Sequence, residues 1–516
     1  MPKKSLSQTF LPITTYLRSM TESSKIDIDL LYTITYMNTI ATGDIARDEI
    51  FRRVSERDDF VCSKYFKQVY MLAKNWNYEY SYACAVVAKR VANKRLKDLL
   101  MRLSNAMGSG EPEAKFLEGE WITMMQIHKN EYERALESLK RWTDAYIALL
   151  VSMAFVSVTM LLSVILYNLG DPFTMLMATV FLTGMVGAIC VYVIRAEAPK
   201  EFKVHNLKFR SIEQKQVADM EKILIPGALL ITVLLFAMGV NPGLILIVVG
   251  LIVAPIGFIG MIDDKNIDTR DRDFSQFTKM LGAICGGMGV TVKEGIKKVD
   301  QKSIGSLDVL VKRLYVQLLM GIEPRLCWEK FVGFSGSELI NKFSYVFLDA
   351  VEIGGDPVKI GKMVNATSLE IVLLRMKRHL TASSFTTLVI PLHIAMCSLM
   401  IFIIQIMIIF ANMISKLYST MDTFDTNGTG GLSVSSMGFS LFQNVDVDLL
   451  AQYAFMMVLV LTIFDTLAAW VTVGGARYKI FYYGSIMLVT SGLALIIVPV
   501  VVEAIFSFPT VTAGGL

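Results

Sequence analysis

The sequence predicts an all-α polytopic membrane protein, with about seven transmembrane helices and two homologous cytoplasmic helical-bundle domains. Three observations carry that expectation. Hydrophobic residues make up 53% and charged residues 19% of the 516-residue chain, and the mean hydropathy is +0.51; a soluble chain has about 25% charged residues. Seven apolar stretches are long enough to cross about 30 Å of hydrocarbon at roughly 1.5 Å per residue. Finally, 47 of the 50 Lys and Arg residues fall in three hydrophilic segments.

Residues 1–146 form the first segment, with 22 basic and 19 acidic residues. Around 62–107 its apolar residues recur at helical spacing. The pattern breaks at Gly108-Ser-Gly-Glu-Pro112 and resumes along Leu117, Trp121, Met124, His128, Tyr132, Ala135, Leu139 and Trp142, the stripe of a packing helix. Nothing from Glu113 to Leu169 breaks that helix, which would reach roughly 85 Å. It reads either as an ordinary bundle helix or as one that carries displacement into the bilayer. The first two spans are Ile147–Leu169 and Phe173–Ile194. A basic linker, 195–222, follows, then spans Ile223–Val240 and Gly243–Ile262.

The second hydrophilic segment, 263–385, is again helical and breaks at Ile353-Gly-Gly-Asp-Pro357. Gly110-Glu111-Pro112 and Gly355-Asp356-Pro357 match at a spacing of 245 residues, which reads as an internal repeat. Each string suits a helix–turn–helix corner. Glycine takes a positive φ after one helix, the acid faces the free N–H groups of the next, and proline starts it. Span Thr386–Ala411, an outer loop 412–449, and spans Leu450–Val473 and Gly484–Phe506 complete the chain. The Lys and Arg bias expects the N-terminus inside and the C-terminus outside. Residues 1–30 show no signal-peptide pattern.

The candidate chemistry is sparse. No phosphate-cradling loop with a correctly placed Lys-Ser/Thr occurs, and Gly286-Gly-Met-Gly289 suits close helix contact instead. Four histidines without an HExxH motif, and six scattered cysteines without a CxxC pair, support no metal site, disulfide framework, cofactor or catalytic centre. Inside the spans, His393 and Asp465 could meet at one depth, as packing glue or as a functional pair. Asn427 begins an Asn-x-Thr acceptor in the outer loop, open to glycosylation. Lys293, Lys297, Lys298, Lys302, Lys312 and Arg313 cluster in the second segment. They read as solvated or topology-setting charges, as a docking face for an acidic protein, or as a contact for anionic lipid. No aromatic platform is interleaved with them, so nucleic acid is not expected.

Two helical domains with Gly-Glu/Asp-Pro corners, each leading into spans, resemble the platform (F-domain) proteins of type IV pilus and type II secretion machines. Leu100 to Pro112 is similar to the first such domain. Glu131 to Tyr146, running into the first span, resembles the archaeal branch, which includes the platforms of archaella. The resemblance implies a non-enzymatic membrane platform for filament assembly, in which a homodimer couples a cytoplasmic hexameric motor ATPase to insertion of archaellins or pilins. It does not separate an archaellum platform from that of an adhesion pilus. A multi-pass transporter is the less favoured reading, because the spans carry few polar residues.

Overall fold

A computed structural model describes residues 26–27, 29–167, 171–300, 303–425 and 447–506, and every regular element among them is helical. Extended backbone pairs only at one antiparallel bridge among these residues, between Val204 and Ser337. The helices are α1 (29–41), α2 (Arg47–Ser55), α3 (Ser63–Trp76), α4 (Tyr80–Ala88), α5 (Lys94–Ser109), α6 (Glu113–Tyr167), α7 (Pro172–Glu197) and α8 (Ile212–Ala237). There follow α9 (Pro242–Met288), α10 (Val292–Lys298), α11 (Asp308–Leu319), α12 (Pro324–Ser335), α13 (Glu338–Glu352), α14 (Pro357–Asp425), α15 (Val447–Val473) and α16 (Lys479–Ile505). Seven of these, α6 to α9 and α14 to α16, are long and apolar enough to cross a membrane. The expected unbroken helix after the first corner is α6.

Local chemistry sets the helix ends. The Asn93 carboxamide accepts from the Leu96 N–H (2.9 Å) and starts α5. Ser337 starts α13 in the same way, and Asp171, followed by Pro172 at the first position, starts α7. At the first corner Gly110 ends α5 with φ +77°, as a C-cap glycine does. At the second corner the left-handed residue is Gly354 (φ +96°), one position ahead of Gly355. The acid and proline of that corner behave as capping residues. Asp356 Oδ1 accepts from Val358 N (2.9 Å), and Pro357 opens α14. Glu111 instead turns its backbone N–H back to Ala106 O, and Pro112 lies just before α6.

The chain divides into two units. The first draws on 1–134, 199–214 and 263–377, so both repeat-like segments contribute to it. At its centre α1 is buried along its whole length, from Asp29 to Ala41. A helix with no exposed face must be enclosed by its neighbours. The polar residues of α1 tolerate this because they are satisfied locally. Thr33, Thr35 and Thr39 donate to the carbonyls of Asp29, Leu31 and Tyr36, and Asp29 accepts from Cys62 N (2.9 Å). Tyr32 meets the Phe343 ring at 5.2 Å, and the Tyr36 hydroxyl donates to Asp349. Residues of α1–α5 and of α9–α14 therefore share one apolar cluster.

The second unit comprises 135–198, 215–262 and 378–516. Leu161, Leu176, Met400 and Tyr453 anchor one cluster there, and Cys397, Val458 and Ala494 a neighbouring one. Glycines let backbones approach. A Cβ on Gly257 would lie 2.4 Å from Tyr482 Cα, and one on Gly187 would lie 2.7 Å from the Phe464 ring. The C-terminus of α15 is closed by a side chain from α14: Arg378 donates to Val471 O (3.1 Å) and Thr472 O (3.3 Å). Leu229, Leu230, Val233 and Phe236 of α8 are exposed, as suits a helix solvated by lipid.

Of the expected α6 stripe, Leu117, Met124, Tyr132 and Leu139 are buried, but the positions at 135 and 142 are not. Leu136, Thr143, Tyr146 and Leu150 are buried in place of Ala135 and Trp142, and Trp142 is 39% exposed. The three/four alternation has two continuations after Tyr132, and the periodicity alone does not choose between them. Because α1 is wholly buried, Ile34→Ala should cost about 2–5 kcal/mol. Thermal unfolding in detergent should show a clear drop in Tm relative to Lys64→Ala, and equal Tm values would contradict the core role of α1.

Candidate functional site

Four spanning helices bring polar side chains to one buried point in the second unit. Asp465 sits on α15, His393 on α14, Ser491 on α16 and Tyr146 on α6. His393 Nδ1 lies 2.7 Å from Asp465 Oδ2, and the Tyr146 hydroxyl donates to Asp465 Oδ1 at 2.5 Å. On the other edge of the imidazole, Nε2 lies 2.8 Å from Ser491 Oγ, which is 2.7 Å from Thr462 Oγ1. His393, Asp465 and Ser491 are fully buried. With Asp465 as carboxylate, Nδ1 of His393 carries a proton. Every strong donor and acceptor in the node then has a partner, which removes most of the cost of burying it. The node can lock four helices in register.

Tyr146, Thr462 and Ser491 were not singled out in the sequence. Tyr146 reads there as one more aromatic at the start of a span, and hydroxyls are common in such helices. Only their convergence on Asp465 and His393 sets them apart.

The first unit carries a second polar constellation. Arg375 on α14 is buried between Asp271 (2.6 Å) and Glu201 (3.0 Å). Lys203 from the linker is buried between Asp264 (2.9 Å) and Asp268 (2.7 Å). Asp264, Asp268 and Asp271 recur at helical spacing along one face of α9, a signal visible in the sequence. Lys203 therefore belongs to an internal ion-pair cluster rather than to an exposed basic face. Burial pushes the Asp271 carboxyl up to about 6, against the pull of Arg375.

Among the candidate docking cations, Lys293, Lys297 and Lys298 are exposed on α10. Lys312 pairs with Asp308 (2.7 Å), and the Arg313 guanidinium lies over the Phe334 ring (5.1 Å). Lys302 and Asn427 lie outside the described residues. Among the described residues, no group of three or more His, Cys, Asp or Glu is arranged to hold a metal ion, and all six cysteines are free and buried.

These features define an all-α polytopic membrane protein that joins a helical-bundle unit to a unit of spanning helices. Over 451 residues the chain is 26% identical to the flagella accessory protein J of Methanocaldococcus jannaschii, covering 84% of this chain and 77% of that protein. Over 423 residues it is 22% identical to the protein of the same name from Methanococcus voltae, covering 80% and 75%. The chain is thus similar to two archaeal flagella accessory J proteins over most of its length. No protein-family model and no solved structure matches it.

Two measurements test these constellations. His393→Leu and Asp465→Leu should each cost about 3–5 kcal/mol, because each leaves the other side chain buried without its charge-assisted partner. The double substitution should cost less than either single one. Additive losses of Tm in detergent would show that the two side chains do not interact. For Asp271, a folded pKa above the ordinary 3.8 means that the native state binds the proton more tightly. Its contribution is full at low pH and falls as pH rises towards about 6. Relative to Asp271→Asn, the wild-type chain should therefore gain stability between about pH 7 and about pH 4. A constant difference across that range would refute the shift.

Proposed function

We propose that this chain is the membrane platform on which an archaellum, or a related type IV pilus-like filament, is assembled. The observation that carries the reading is the similarity to flagella accessory protein J of two archaea over 80–84% of the chain. The helical-bundle unit would face the cytoplasm, with the N-terminus inside and the C-terminus outside; the concentration of 47 basic residues in the hydrophilic segments supports that orientation. A hexameric motor ATPase would engage that unit. Its strokes would pass to the spanning helices and lift archaellins or pilins from the membrane, with two copies of the platform at the centre. The chain itself would catalyse no reaction; it would supply interfaces.

Two features support force transmission. The helices α6, α9 and α14 each continue without interruption from residues of the bundle unit into residues of the spanning unit. His393, Asp465 and Ser491 of the spans are consumed in buried packing contacts, which suits a stiff base better than a conduction path. Deletion of the gene, scored by electron microscopy and by swimming, tests the reading. Loss of both surface filaments and swimming is expected for an archaellum platform. Normal swimming with missing adhesive fibres would reassign it to a pilus, and intact filaments of every kind would overturn it.

A further inference from the structure

The bundle unit holds an open groove of about 750 Å³, bounded by α2, α10, the α11–α12 turn and α13. Its volume is in the range of sites that enclose a ligand or a large side chain. The floor is apolar, with Leu318, Ile322, Trp328, Leu348 and Val351. Along one wall Arg57 stacks on the Tyr36 and Tyr345 rings (5.2 and 5.6 Å) and pairs with Asp349 (2.7 Å). The wall is thus internally neutralised.

The rim is not. Lys293 and Arg325 line the groove and are exposed, and among the described residues neither makes an ion pair. Of the lining acids, Asp349 is held by Arg57 and Glu56 by Arg52 (3.0 Å). Glu352 is the remaining acid on the rim. The helix α12 also opens here: Pro324 and Arg325 line the groove, and no side chain caps its first N–H groups. The positive end of that helix adds to the two free cations.

We propose that this groove docks an acidic segment of a partner protein. A large aliphatic or aromatic side chain of the segment rests on Leu318, Ile322 and Val351, and its flanking carboxylates meet Lys293, Arg325 and the start of α12. The proposal rests on the platform reading in one respect, in that it names the surface by which the bundle meets its cytoplasmic partner. It narrows the basic face to the two cations that border an apolar floor, and so assigns Lys297 and Lys298 a lesser part. A membrane surface is the poorer fit, since the apolar residues lie in a concavity and anionic-lipid sites gather four to eight cations.

The test uses the full chain in nanodiscs and a fluorescein-labelled twelve-residue peptide in which Asp and Glu flank a central Leu-Phe pair. Fluorescence anisotropy should show saturable binding. Affinity should fall by about tenfold or more when the acids become Lys, when Leu-Phe becomes Ser-Ser, or when the chain carries Lys293→Glu with Arg325→Glu. The Lys-flanked peptide should regain binding to that double variant, which guards against a folding defect. Lys297→Glu with Lys298→Glu should leave binding within about twofold. Equal loss from both pairs of reversals, or binding indifferent to Lys293 and Arg325, would overturn the proposal. Displacement of the peptide by free ATP would overturn it in favour of a site for free nucleotide phosphate. Filaments lost on gene deletion, together with no peptide binding, would remove the groove while leaving the platform reading intact.

Discussion

The bundle unit depends on the complete burial of α1. A helix exposed on one face needs only one partner, whereas a helix with no exposed face must be enclosed. The enclosing helices come from both hydrophilic segments: Phe66 and Val69 of α3 lie in the same cluster as Phe343, Val346 and Val364 of α13 and α14. The two segments therefore cannot be separated without exposing Leu30, Ile34 and Ile40, each fully buried. The groove between α2, α10 and α13 follows from that enclosure, since its walls come from both segments.

The spanning unit meets the opposite constraint. Lipid supplies no hydrophobic drive between helices, so close packing and interhelical hydrogen bonds must hold them. Both devices are present. Glycines at 187 and 257 admit an aromatic ring and a helix backbone, and the His393–Asp465 node ties four helices together. Arg378 closes the end of α15 with its guanidinium, a polar cap supplied by another helix.

Between these solutions the charged groups divide by role. Lys203 and Arg375 are consumed internally by α9 carboxylates and Glu201, where a lost partner is costly. Lys293 and Arg325 make no ion pair among the described residues and stand on a rim, where charge steers a partner rather than holding a fold. For a protein that would act through interfaces, that division separates the residues that maintain shape from those that recognise.

The amino-acid order alone determined the all-helical class, the seven apolar helices and the unbroken run of α6, because hydropathy, helical periodicity and capping residues are local properties. It also placed His393 and Asp465 at matching depth. It did not reveal that Tyr146 and Ser491 complete their hydrogen bonds, that Lys203 is internal, or that Gly354 rather than Gly355 turns the second corner. Nor did it reveal that the two hydrophilic segments share one core around α1. Those outcomes rest on which faces meet across hundreds of residues. Partners for a buried hydroxyl, ammonium or wholly enclosed helix are chosen by tertiary packing, and no local pattern records that choice.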